Sequence, residues 1–173
     1  PDSSEYGKLI SRVDMPSAGD ELHHFGWNAC SSCLCPYAPH PHVERRYLVV
    51  PGIHSSRIHI LDTQPDPRNP KIIKVIEADE LAAKTGYSAP HTVHCLGSDI
   101  IISMLGDAKG EAPGGFLHLN EDFEIVGRWE NDLGGMKFNY DFWYQPRHNV
   151  MVSSEWAAPD TFMPGFDLEE VGH

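Results

Sequence analysis

The sequence predicts an all-β fold made of repeating antiparallel sheets, and three observations carry that reading. Apolar residues fall in short runs closed by proline and glycine. Glycine and proline are frequent, at 15 and 14 of 173 residues, the punctuation of a turn-rich chain. The runs also recur with a period of about 50 residues, the length of one four-stranded propeller blade.

Taken in order, Tyr47-Leu-Val-Val50 is β-rich and closed by Pro51-Gly52. Residues 57–62 alternate apolar and polar and break at Pro65, Pro67 and Pro70, and residues 71–76 follow as a third strand. Residues 78–85 (ADELAAKT) form the one clear helical stretch, too short to define a helical domain. The pattern then restarts. Residues 91–96 and 99–105 read as strands, the second buried, while 115–120 and 124–129 match 57–62 and 71–76. A third copy begins with 140–144 and 149–154. The expected blades are 20–77, 90–130 and an incomplete 139–173, giving two to three blades of one partial β-propeller domain over residues 1–173. Periodicity alone leaves a small β-sandwich open as the alternative. Propellers typically close with about 4–8 blades. Together with a start at Pro1 rather than Met and a stop at His173, this makes a piece of a longer protein the expectation.

Composition removes several function classes. The 13 basic and 25 acidic residues give a net charge of −12, the wrong sign for a nucleic-acid groove. No apolar run approaches the ~20 residues of a membrane span. A cytoplasmic location is expected, with a periplasmic one as the alternative because an N-terminal segment is expected to be missing.

The chemistry-bearing residues are histidines and cysteines. There are eleven histidines and four cysteines, three of the latter clustered, so the chain carries no spread disulfide framework. His23 and His24 are adjacent, and on a regular strand they would face opposite sides, sharing an ion only if the backbone bends near Gly26. His91 and His94, three apart, would also diverge unless a bulge intervenes. Each pair alone is ordinarily solvated or satisfied in the core. The repeat changes this, because His23 and His91 sit at the openings of successive blades, and such positions converge on the channel. Imidazole suits copper, zinc, iron and nickel, and an all-histidine site with few thiols suits redox copper.

Cys30, Cys33 and Cys35 offer CxxC plus one. The motif fits a zinc half-site completed by His40 and His42, a redox pair, a loop of reduced thiols, or a thiolate that captures soft electrophiles such as selenite. Leu34 after the second cysteine excludes c-type haem attachment. The aromatic block 140–148 is ordinarily core. Within it Asp141 holds the position equivalent to His23 and His91 and is a candidate carboxylate for orienting an imidazole. Glu155 is expected as a buried polar group facing the channel. The loop 107–115 lacks the ending of a phosphate cradle and reads as a hairpin connection.

These blocks stand together in order. DELHHFGWN at 20–28, CSSC at 30–33, PHTVHCL at 90–96, GGF at 114–116, YDFWYQPRHNV at 140–150 and SEWAAP at 154–159 resemble the selenium-binding protein / methanethiol oxidase family over most of the chain. The resemblance implies a seven-bladed propeller much longer than this chain. It also implies copper-dependent oxidation of methanethiol by O2 and water to formaldehyde, hydrogen sulfide and hydrogen peroxide. The positions matching the copper-holding histidines are His23, His24 and His91, with His94 close by, and further ligands belong to C-terminal segments of the family. Asp141 or Glu155 is the expected acceptor of the substrate proton. Selenium binding in the family goes through cysteine. An upstream cysteine of some relatives is Gly7 here, so the expectation falls on Cys30 or Cys33. A non-enzymatic selenium or thiol carrier is the alternative, and a scaffold for protein partners is a third reading.

Overall fold

The structure is a computed structural model that describes residues 2–29, 43–145 and 147–165. The architecture is all-β. A first antiparallel sheet runs in the order β1-β2-β3-β4, made of Gly26–Trp27, Tyr47–Pro51, Ile58–Asp62 and Lys71–Ile76. A helix, α1 (Ala78–Thr85), leads to a second sheet in the order β5-β6-β7-β8, made of Tyr87–Leu96, Asp99–Asp107, Gly115–Leu119 and Ile125–Arg128. β9 (Phe142–Gln145) and β10 (Val150–Ser153) pair as a third sheet, followed by one helical turn, α2 (Pro159–Phe162). Each four-stranded meander is the blade unit of a propeller. The sheets remain open and do not close a ring.

Strand β6 shows why the sheets stack. Its run Ile100-Ile-Ile-Ser-Met104 is buried on both faces, as expected of a strand with sheets on either side. Ile100, Ile102 and Met104 join Val49, Ile58, Ile60 and Ile76 of the first sheet in the main core. Ile101, one residue out of phase, packs with Phe116 and with Phe142 of the third sheet. A fully buried side chain of this size contributes about 1.5–3 kcal/mol, so the central sheet is held from both sides.

Helix α1 closes the first sheet onto the second. Asp79 and Glu80 lie in its first turn and Lys84 in its last, each complementing the helix dipole. Gly86 ends it at φ +72, a left-handed cap, with its N–H donating to the Ala82 carbonyl. The Arg128 guanidinium donates to the Thr85 carbonyl at 2.6 Å and lies 4.3 Å from the Tyr87 ring, tying the helix end to β8.

Two differences from the sequence reading bear on function. Strand β5 starts at Tyr87, before the expected His91, and runs through Pro90 with a register shift between Pro90 and Val93. Ala89 holds φ +51, with its N–H donated to Ser56 Oγ at 2.9 Å, so β5 bends just before His91. The opening strand of the first sheet is only two residues long, and His23 and His24 precede it.

Candidate metal centre

The segment carrying His23 is fixed by its own first residues. The Asp20 carboxylate accepts the Ser55 N–H at 3.0 Å and the Ser55 hydroxyl, the Glu21 carbonyl accepts the Ile53 N–H, and Leu22 bridges Gly52. The chain then bends, with the Phe25 N–H donating to the His23 carbonyl at 2.9 Å. This bend removes the strand geometry that would send two adjacent rings to opposite sides. The His23 and His24 rings stack instead, with centroids 5.5 Å apart and planes 22° off parallel. The His24 carbonyl accepts the Val93 N–H at 3.2 Å, stitching this segment to β5.

The bulge in β5 supplies the third ring. His91 is fully buried, and its centroid lies 4.4 Å from that of His24 and 5.1 Å from that of His23. One ligand nitrogen from each of the three rings lies within 4.8 Å of the other two. Metal–nitrogen bonds of about 2.0–2.1 Å place two tetrahedral donors roughly 3.3 Å apart, so small ring movements suffice to share one ion.

Hydrogen bonding at the outer nitrogen of His91 decides what its inner one presents. His23 Nε2 lies 2.8 Å from Glu21 Oε1. That carboxylate only accepts. His91 Nδ1 lies 3.1 Å from the Tyr140 carbonyl, which also only accepts, so the lone pair of His91 is on Nε2. His23 Nδ1 faces that lone pair at 2.9 Å, so it carries the proton and donates to His91 Nε2. A cation taking the place of that shared proton would draw on both nitrogens. The donor set thus fits a cation held by imidazole.

His91 is kept neutral. Burial first, then the neighbouring His24, lowers its pKa from 6.5 to about 4, against the raising influence of the Tyr140 carbonyl and of Asp141. The Tyr140 carbonyl is itself held by the Ser103 hydroxyl at 2.6 Å, and Thr92 Oγ1 lies 3.4 Å away. Thr92 Oγ1 also sits 3.3 Å from His24 Nδ1.

Other residues singled out from the sequence lie elsewhere. His94 stands apart from the three-ring cluster. Its ring meets Phe142 and Trp143 edge-on at 4.9 and 4.3 Å, and burial lowers its pKa. Asp141 Oδ1 accepts the Phe142 N–H at 2.7 Å, and its charge pushes His91 and His94 upward without a hydrogen bond to either ring among the described residues. Glu155 is exposed rather than buried, because its carboxylate accepts the N–H groups of Phe138 and Lys137 at 2.8 and 2.9 Å at the protein surface. Those two bonds lower its pKa. Cys30, Cys33 and Cys35, with His40 and His42, lie outside the described residues.

Sequence reasoning missed Glu21, Thr92, Ser103 and the Tyr140 carbonyl. For Glu21 a signal existed: two residues before His23 on extended chain, it shares that side chain's face. Backbone carbonyls leave no mark in sequence. No helix among the described residues is long and apolar enough to cross a membrane.

Comparison with known proteins agrees with this architecture. The family described as 56kDa selenium binding protein (SBP56) matches residues 1–173. Selenium-binding protein 2 of Arabidopsis thaliana is 49% identical over 173 residues, covering 99% of this chain and 35% of its own length. A methanethiol oxidase of Xenopus laevis is 50% identical over 177 residues, covering 100% of this chain and 37% of its own. The X-ray structure of a hypothetical selenium-binding protein from Sulfolobus tokodaii superposes with a TM-score of 0.91 at 54% identity, over 98% of this chain and 37% of that one. The chain therefore spans little more than a third of the length of the relatives it matches.

Proposed function

The chain belongs to the 56 kDa selenium-binding protein family, and from that premise we propose that it forms part of a copper-dependent methanethiol oxidase. In the reaction, one methanethiol, one O2 and one water give one formaldehyde, one hydrogen sulfide and one hydrogen peroxide. This balances in atoms and carries two electrons from the methyl carbon to oxygen. Relatives named methanethiol oxidase, at 47–50% identity, support the oxidoreductase reading. The observation that carries the copper reading is the convergence of His23, His24 and His91, with one ligand nitrogen from each within 4.8 Å of the other two.

His23, His24 and His91 would hold the ion. Copper, when bound, supplies a redox couple and a position that favours the thiolate over the thiol. The chain's own residues do the rest. Burial keeps His91 unprotonated at neutral pH, so its lone pair needs no prior loss of a proton. The Tyr140 carbonyl fixes the tautomer of His91, and the Ser103 hydroxyl fixes that carbonyl. His24 is exposed and sets the solvent side of the cluster, from which a small thiol would approach. Asp141, whose charge is felt at His91 and His94, is the better placed of the two carboxylates to take a substrate proton. Glu155 is occupied by two amides.

The test is metal analysis and electron paramagnetic resonance of the full-length protein beside its His23→Ala, His91→Ala double variant. Loss of copper and of turnover together is expected. Retention of both would mean that the ion, if any, is held elsewhere.

The second reading is a selenium or thiol carrier acting through Cys30 or Cys33, supported by relatives named selenium-binding proteins. Uptake of labelled selenite that survives copper removal and is lost in Cys30→Ser would favour it.

A further inference from the structure

Tyr140 brings its ring as well as its carbonyl to the imidazole cluster. The phenol centroid lies 4.4 Å from that of His91 and 6.2 Å from that of His24. Tyr140 meets Trp156 edge-on at 5.3 Å, and Trp156 stacks on Phe162 at 4.8 Å with planes 27° off parallel. Tyr140 and Phe162 pack on Ile53, Ala89 and Leu105, which gives the row of rings an apolar floor. His91 is fully buried, Tyr140 half-buried and Trp156 exposed. The row thus runs from a candidate ligand to the surface of the chain.

Aromatic pairs at these separations pack well whatever the rings. The composition of this row sets it apart. A phenol and an indole can each give up one electron and one proton, whereas a phenyl ring cannot at comparable potentials, so an oxidisable path ends at Trp156. The other tryptophans have different neighbours. Trp143 meets His94, Trp129 meets Phe116, and Trp27 lies beneath Arg45. The proposed reaction also makes hydrogen peroxide where three oxidisable imidazoles converge.

We propose that Tyr140 and Trp156 form an electron relay that draws oxidising equivalents away from the imidazole cluster to the surface. The proposal rests on the metal site proposed above. In the relay, one hydrogen peroxide gains two electrons and two protons and becomes two waters. One electron comes from the reduced copper ion. The other comes from Trp156 by way of Tyr140, with the indole N–H proton, and the second proton comes from solvent. Tyr140 gives up an electron and its phenolic proton first, and regains both as Trp156 is oxidised. A thiol in solution then returns one hydrogen atom to the indole radical, and two of the resulting thiyl radicals pair as a disulfide. Without the relay the oxidising equivalent falls on His23, His24 or His91.

Copper(II) titration of the full-length protein comes first, and Trp156→Phe is expected to match the parent. The copper-loaded parent, Trp156→Phe and Tyr140→Phe are then reduced, mixed with an equimolar amount of hydrogen peroxide and frozen. Radicals are read by electron paramagnetic resonance per bound copper, and added oxygen by peptide mass spectrometry. The parent is expected to give an indole radical and oxygen on Trp156, and the metal-free parent neither. In Trp156→Phe the indole signal is lost and a tyrosyl radical takes its place. In Tyr140→Phe both radicals are lost and oxygen is added to His24 or His91 instead. An indole signal that survives Trp156→Phe, or oxidation of Trp156 unchanged by Tyr140→Phe, would overturn the relay and leave the metal site standing. A parent that binds no copper would overturn the metal reading and the relay with it.

Discussion

A Cβ placed on Gly26 would lie 2.6 Å from the carbonyl oxygen of Val93 and 3.1 Å from its Cβ. The first sheet therefore meets β5 at a distance only glycine allows, two residues from His24 and two from His91. Because the obstacle is backbone, it cannot swing aside. Gly26→Ala is expected to cost about 1–3 kcal/mol in chemical denaturation. It is also expected to weaken copper(II) binding, because it drives apart the two segments that carry the rings.

Gly115→Ala separates packing from the site. Its added Cβ would fall 2.0 Å from Tyr87 Oη, a buried hydroxyl already bonded to Glu130. A destabilisation of about 1–3 kcal/mol is expected. Copper affinity of the folded protein should stay within error of the parent in the same titration.

Ser103→Ala removes a fully buried hydroxyl that donates to the Tyr140 carbonyl at 2.6 Å and accepts the Thr92 N–H at 2.9 Å. The stranded N–H makes a loss of about 1–3 kcal/mol the expected result in urea unfolding. The freed carbonyl holds His91 less well, so copper binding should weaken by more than the stability change alone accounts for.

Protonation should destabilise the metal-free protein. The folded pKa of His91 is about 4, against 6.5 when unfolded, so between those values the unfolded chain binds the extra proton. The neutral ring's contribution is complete above pH 6.5 and is lost as pH falls toward 4, a loss on the order of 3 kcal/mol. His94, also lowered by burial, acts in the same direction. Glu155 adds a further loss below its ordinary 4.5, as its amide-bound carboxylate protonates. Urea midpoints measured from neutral pH to about pH 4 should decline across this window, and more gently in His91→Gln.

Much of the fold was legible because period-2 patterning and turn residues are local signals. Strands β2, β3, β4, β6 and β7 lie where the apolar runs placed them, and Ala78–Thr85 is helical. Strand β1 was not legible, since two residues carry no periodicity. The start of β5 was missed because Pro90 reads as a strand breaker, whereas the bulge beside it absorbs the irregularity. The convergence of His23 and His91 could be anticipated from the repeat, and that of His24 only from the resemblance. The separation of His94 could not, because it depends on how the third sheet's Phe142 and Trp143 pack. Glu155 was expected inside and lies outside, because its partners are the amides of residues 137 and 138, which no residue type announces.

The Tyr140 carbonyl that holds His91 lies 49 residues downstream of it in the chain. During synthesis the ribosome releases His23, His24 and His91 well before that acceptor exists. Over that interval the His91 ring is free to choose either tautomer and to titrate as an ordinary side chain. A nascent chain arrested before residue 140 therefore carries all three rings without the carbonyl that orients His91.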